Sequence, residues 1–502
     1  MKMPCGIIVA FTLAGSSTLA LGFDDRPAPP GDGQSYEVLR GEVTRAMRLA
    51  ASFYRHKVAS HGGYVYHYSV DLGQRWGEGK ATIDQIWVQP PGTPTVGLTY
   101  LKAYEATGDQ FYLDAAKEAG EALRYGQLVS GGWTNSIDFD PKGEKVARYR
   151  TSRGRSRGAN NSTLDDGISQ AAIRFMMRLD QTLGSTDKAI HESAQVAISA
   201  LLKAQFPNGG FPQVWTGPVP SRPVLKASYP EIDWRTEGKI KDYWNKYTLN
   251  DGLAGTVTET LSNAFELTQD VRYKAALSRL GNFLILAQMP EPQPAWAQQY
   301  GDDMRPIWAR RFEPAAVTGG ESQDVLETLL RIFQLTGEAK YLEPIPRALA
   351  YLQRSLLPDG RLARYYELQT NKPLYMIRRG KDYTLTYDDS DLPAHYGWKV
   401  DSRLAAIEAR YKTLKAGGRE PTTARSVADL EREVRQIIMD LDDQGRWVSR
   451  YAGEPLVGQP KFAPGSLYLS STLFSRNLET LSQYLAATQP RNPAAGGQGK
   501  TH

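Results

Sequence analysis

Residues 165–205 read DDGISQAAIRFMMRLDQTLGSTDKAIHESAQVAISALLKAQ, and the reading of this stretch decides the fold. Apolar residues recur at helical spacing in two runs, Asp165–Gly184 and Thr186–Gln205. Between them Leu183-Gly184-Ser185-Thr186-Asp187 supplies a glycine that closes one helix and an acid that meets the positive start of the next. The same signature returns at Ala106–Asp109, Leu267–Asp270 and Leu335–Glu338. These turns join Thr95–Thr107 to Asp109–Leu128, Thr248–Thr268 to Asp270–Ala287, and Ser322–Thr336 to Ala339–Leu356. A further pair is Asp401–Leu414 with Thr423–Asp440, while Ser35–Ala59 and Gly465–Ala486 are expected to pair as chain ends.

A second signature follows the later helix of a pair: Gly62-Gly63-Tyr64, Gly131-Gly132-Trp133 and Gly209-Gly210-Phe211, each predicting a sharp turn before an exposed ring. Farther along, Trp308-Ala309-Arg310-Arg311-Phe312-Glu313 echoes Leu362-Ala363-Arg364-Tyr365-Tyr366-Glu367, with a third copy at Gly445–Tyr451. Repeats of this length predict stacked helical hairpins whose connecting loops gather on one face. The expected fold is all-α, an α/α toroid of about six hairpins or a partial ring, with long rim loops; an open helical stack is the alternative.

With 502 residues and no internal linker, one large body with tails is expected. Residues 1–22 have the shape of a secretory signal, a short apolar run after Lys2 with cleavage near Gly22, so export to the periplasm or medium is expected. Residues 23–90 then form an N-terminal extension and first helix, 91–400 a catalytic domain, 401–487 C-terminal helices that complete the toroid, and 488–502 a disordered tail. Cys5, the single cysteine, lies in the signal, so no disulfide is expected. The net charge of +5 favours anionic ligands weakly; no basic run suggests nucleic acid and no later stretch is apolar for long enough to span a membrane. A monomer is expected.

None of the six histidines forms a metal-binding pair on a helix, and neither a Gly-x-Ser-x-Gly elbow nor a phosphate loop is present. Carboxylates, arginines and aromatics remain. Asn160-Asn161-Ser162-Thr163-Leu164-Asp165-Asp166-Gly167 is dense in oxygen ligands where a helix opens, and Tyr247-Thr248-Leu249-Asn250-Asp251-Gly252 repeats the arrangement one hairpin later. Either is explained as a helix cap; together, at neighbouring rim positions, they suit Ca²⁺, which takes six to eight oxygen ligands.

Several of these segments, in order, resemble the motifs of the pectic acid lyases: Thr163–Gly167 followed by Ile173-Arg174-Phe175, Asn208–Gln213, Asn250-Asp251-Gly252, Gly319-Gly320-Glu321-Ser322 after Ala309-Arg310, and Ala363–Glu367 followed by Thr370–Tyr375. The resemblance runs from about residue 95 to 380 and implies calcium-assisted β-elimination on polygalacturonate or a related acidic polysaccharide. It implies that Asp165 is a calcium ligand acting in catalysis, with Asp251 as its companion and Asp166 and Asn161 as further candidates. It implies an arginine base after the Thr-Asn-x-Pro segment, where Arg378 and Arg379 stand side by side, with Lys372 and Tyr375 in reserve as substrate contacts. Arg310 matches an arginine that would clamp a uronate carboxylate, and Trp215, Trp308 and Phe211 are candidate stacking platforms. Asp166 departs from the family's usual Asn, and the acidic stretch from Lys381 to His395 is longer than the family's loop. Two rival functions are carried beside this one: an inverting glycoside hydrolase using Asp165 and Asp251, and a non-catalytic uronate-binding protein.

Overall fold

The computed structural model describes residues 33–152, 158–237, 240–419 and 425–489. The expected signal peptide with Cys5, most of the Pro/Gly stretch after it, and the tail beyond residue 489 lie outside the described residues.

Helices dominate and follow the expected pairs, except that 404–415 packs mainly on 319–336 and 345–354, and 427–439 mainly on 471–487 and 33–53, rather than on each other. They are α1 (Gly33–Phe53), α2 (Thr93–Thr107), α3 (Gln110–Gly126), α4 (Ile168–Thr182), α5 (Lys188–Lys203), the short α6 (Trp234–Glu237), α7 (Leu253–Thr268), α8 (Val271–Leu286), α9 (Gly319–Thr336), α10 (Ile345–Arg354), α11 (Leu404–Lys415), α12 (Val427–Met439) and α13 (Ser471–Ala487). The turn signature works as its chemistry requires: Asp109, Asp187 and Asp270 accept from the first free amides of α3, α5 and α8, and Gly108 and Gly337 adopt the left-handed conformation that ends α2 and α9.

The first helices of successive hairpins pack side by side in an arc, α13 to α2 to α4 to α7 to α9 to α11, with α3, α5, α8 and α10 behind them. The chain ends pair as expected, α1 against α13; α12 packs on the same two helices. The arc encloses one continuous apolar core, in which α4 presents Ile168, Ala172, Ile173, Phe175, Met176 and Leu179, all nearly inaccessible.

The expectation of an all-α chain needs correction. The loops that lead from each rear helix to the next front helix are stitched together by short antiparallel strands: 85–87 with 136–138, 162–163 with 214–215, 247–248 with 299–300, and 316–318 with 365–367. At the chain ends 67–69 pairs with 467–470. These loops are long and close together, so their backbone groups satisfy one another across loops rather than within helices. The longest strands, 373–379 and 382–386, form a hairpin that carries Arg378 opposite Tyr383 and Arg379 opposite Asp382.

The rings after the Gly-Gly turns also differ from expectation: Tyr64, Trp133 and Phe211 are buried, not exposed. At Gly131 (φ 96°) and Gly209 (φ 95°) the backbone runs so close to the neighbouring rear helix that a Cβ would lie 2.4 Å from the Ala200 Cβ and 1.9 Å from the Arg279 carbonyl oxygen. The next ring is thereby turned inward. Trp133 Nε1 donates to the Leu123 carbonyl at 2.8 Å, and Trp296 and Trp447 make the equivalent bond to Leu284 and Ile437. Among the described residues no helix is long and apolar enough to cross a membrane.

Candidate active site

Two loops of like sequence build the centre. Thr163-Leu164-Asp165-Asp166-Gly167 precedes α4 and Thr248-Leu249-Asn250-Asp251-Gly252 precedes α7, and each makes one tight turn between its strand and its helix. Asp166 (φ 47°) and Asp251 (φ 54°) take the left-handed conformation, each followed by a left-handed glycine. A side chain in that region is strained, and Asp tolerates it better than most. Because α4 and α7 are packed neighbours, the two turns touch and bring Asp165, Asp166 and Asp251 together with carboxylate oxygens within 4.8 Å of one another.

Three carboxylates at this spacing cannot all be charged without a cation. Asp165 and Asp251 are close enough to share a hydrogen bond, which requires a proton on one of them. Burial and the neighbouring Asp166 push the Asp165 carboxyl up to about 6, and burial with Asp251 and Glu78 pushes Asp166 up to about 8. Asp251 is driven well above the ordinary range by burial and by Asp165. Asp251 Oδ2 accepts from Asn250 Nδ2 at 2.5 Å, while its Oδ1 is buried with no hydrogen-bond partner among the described residues. An orphaned buried oxygen on a carboxylate grouped with two more fits a hard divalent cation such as Ca²⁺.

Two arginines lie beside this cluster. Arg310 acts on all three carboxyls. Its own loop is a closed turn: Arg310 Nη2 and its backbone N–H both donate to the buried Glu313 carboxylate, and Trp308 Nε1 donates to the Arg310 carbonyl at 2.9 Å. Burial alone would raise Glu313; Arg310 outweighs it and holds the group down at about 2, so this ion pair stays charged. Arg364 is buried, donates to Glu321 Oε1 at 3.0 Å, reaches Asn250 Oδ1 at 3.5 Å and stands 4.4 Å over the Tyr396 ring.

The remaining candidates are dispersed. Arg378 and Arg379 are exposed on the 373–386 hairpin; Arg378 Nε donates to the Gly380 carbonyl and Arg379 pairs with Asp391 at 2.8 Å. Tyr383 and Phe312 stand between Arg378 and Arg310, with Arg378 5.7 Å over Tyr383, the two rings 5.4 Å apart, and Arg310 5.3 Å over Phe312. Lys372 is exposed beside Tyr387. Trp215, Trp308, Phe211 and Tyr375 are interior residues, which corrects their candidacy as sugar-facing groups: a ring enclosed by protein offers no face to a sugar, and Trp215 Nε1 is spent on the Ser130 carbonyl. Asn161 is half-buried ahead of the 162–163 strand, and among the described residues no bond ties its amide to the three carboxylates.

Three residues escaped the sequence reading. Arg364 was visible as the echo of Arg310. Glu78 and Gln89 had no motif to mark them, yet Gln89 Nε2 donates to Asp166 Oδ2 at 2.9 Å and to Glu78 Oε1 at 3.2 Å.

Residues 127–332 match the family model described as pectic acid lyase, so over that span the resemblance holds and the enzyme class it gives is polysaccharide lyase. A search of curated proteins found no match. Among solved structures, a family 10 polysaccharide lyase from Cellvibrio cellulosa, a mutant in complex with trigalacturonic acid, is similar at 17% identity and TM-score 0.43, covering 64% of this chain and 98% of that one. A cellobiose 2-epimerase from Spirochaeta thermophila is similar at 16% identity and TM-score 0.43, covering 91% and 99%. A type II terpene cyclase from Scytonema follows at 16% and 0.34, covering 90% and 99%. Likenesses this loose carry no argument about the chemistry here.

Proposed function

We propose that this polysaccharide lyase, with its pectic acid lyase segment at residues 127–332, cleaves polygalacturonate or a related uronate polymer by calcium-assisted β-elimination outside the cytoplasm. The observation that carries the reading is the meeting of Asp165, Asp166 and Asp251 beside Arg310, with Asp251 Oδ1 orphaned. We further read the helical arc, with its chain ends paired, as an α/α toroid, residues 91–400 as its catalytic part and 401–487 as the helices that complete it, preceded by a signal that exports the chain.

β-Elimination removes the C5 proton of a uronate and expels the oxygen on C4, so negative charge spreads onto the C6 carboxylate. Asp165, Asp166 and Asp251 would hold Ca²⁺, which when bound supplies a positive charge for that carboxylate. Arg310 adds a second: half-buried and fixed by Glu313, it is oriented before the charge develops. Arg364 acts one step back, holding Asn250 and through it Asp251. For the proton acceptor, the family resemblance gives Arg378 or Arg379, and parallel substitution decides between them; Arg310, held charged by Glu313, has no room for a further proton and serves as a fixed positive charge.

Inverting hydrolysis fits less well, since it needs two carboxyls roughly 6.5–9.5 Å apart with a water between them, and Asp165 and Asp251 are nearer than that. The test is the ultraviolet absorbance of the unsaturated product from polygalacturonate. We expect product that disappears with chelator, returns with Ca²⁺, and is absent for Asp165→Ala. Saturated ends would favour hydrolysis, and bound but uncut oligouronides a binding protein.

A further inference from the structure

Four carboxylates meet at this centre once Glu78 is counted, and the two guanidinium groups beside them, Arg310 and Arg364, are already committed to Glu313 and Glu321. Lys145, 4.0 Å over the Trp87 ring and near Glu78, offsets one charge. A single divalent cation would leave the centre net negative, which repels a polyanionic substrate; a second would make it net positive.

The N-terminal segment holds the groups for a second cation. Glu78 sits in the turn between the strands 75–76 and 80–81, and that turn is pinned: Gly77 lies flat on Trp87, whose ring a Cβ would meet at 2.0 Å. Gln89, two residues beyond Trp87, is 5% exposed and places its amide between Glu78 Oε1 and Asp166 Oδ2. Its Oε1 is buried without a hydrogen-bond partner among the described residues, as is the hydroxyl of Tyr66, which lies near both acids. An amide wedged between two acceptor-only carboxylates uses its nitrogen as a proton-bearing substitute for a cation. A half-turn of the amide exchanges the two ends and turns the orphaned oxygen toward both carboxylates as a third ligand.

We propose that Glu78, Gln89 and Asp166 form a second divalent-cation site, with Asp166 shared between it and the Asp165–Asp251 site. It rests on the reading of Asp165, Asp166 and Asp251 as cation ligands, and it gives residues outside the 127–332 family match a part in admitting the substrate.

Equilibrium dialysis of chelator-stripped protein against Ca²⁺ tests this without reference to activity. The wild type should bind two ions per chain and Glu78→Gln one, the variant keeping the wild-type circular dichroism and thermal transition. One ion in the wild type overturns the second site while leaving the first intact, as does an unchanged two in the variant; none in the wild type removes both.

Discussion

Arg310 and Arg378 carry the same charge in different surroundings, one half-buried against Glu313 beside three acids and the other exposed on a hairpin rim. Arg310→Lys keeps the charge but loses the planar fork that grips Glu313, and should lower kcat/KM by about 10²-fold or more with the fold intact. Arg378→Ala removes a solvated charge worth up to about 1 kcal/mol and should cost less than about tenfold. Steady-state kinetics on polygalacturonate compare them; a larger loss at Arg378 than at Arg310 would place the proton acceptor at Arg378, and a small one leaves Arg379. The carboxyls set the pH response. Asp166 at about 8 and Asp165 at about 6 are protonated below those values, and a cation must displace the protons. Calcium affinity should therefore fall as pH drops, by about tenfold per unit between 8 and 6 and more steeply below 6, as titration calorimetry across that range will show. For folding alone the sign is opposite. Raised carboxyls stabilise the metal-free fold fully below their unfolded value near 3.8 and lose that contribution as pH rises to about 8. Asp165 and Asp251 were legible at this scale because a helix cap explains one acid better than several. Glu78 and Gln89 were not, since a single acid in a three-residue turn has no pattern and only the packing of Gly77 on Trp87 gives it a direction.

At the scale of elements, the repeated unit is a helix pair plus a glycine turn that brings the chain against the next rear helix. Gly209→Ala places a Cβ into the Arg279 carbonyl at a left-handed φ of 95° and should cost about 2 kcal/mol or more. Gly217→Ala, with open space around it, should be neutral within about 0.5 kcal/mol. Urea unfolding midpoints give both numbers, and equal midpoints would show that the turn yields. Four helix pairs were legible because each has an apolar period, a glycine or its substitute at one end and an acid at the next start; the pair expected at 401–440 lacked that turn, and its helices pack mainly on other partners. The stitching strands were not, because two or three residues carry no alternation; their partners lie one hairpin away, as Thr163 with Val214 and Thr248 with Gln299. The inward turn of Trp133 and Phe211 escaped for the same reason: a ring beside a turn faces in or out according to the neighbouring helix.

For the whole molecule, the centre draws on parts far apart in sequence. Glu78 and Gln89 come before the 127–332 match, Asp165, Asp251 and Arg310 from within it, and Arg364 with Tyr396 from after it. The core is equally distributed. The matched span includes α4 to α8 and most of α9, but α4 also packs on α2, and α9 on α10 and α11. Cutting at residues 127 and 332 would expose the apolar flank of α4, divide α9 and remove the 365–367 partner of the 316–318 strand. A protein with one shared core loses cooperativity when its flanks are removed. Residues 127–332 alone should therefore bind a hydrophobic dye and melt without a sharp transition, whereas residues 33–489 should unfold in a single step by calorimetry. The ends are tied by the pairing of His67 with Ser470 and by the packing of α1 on α13. Removing α13 should accordingly abolish the transition of the longer chain as well, and an independent melt of the short fragment would instead make the family segment a domain by itself.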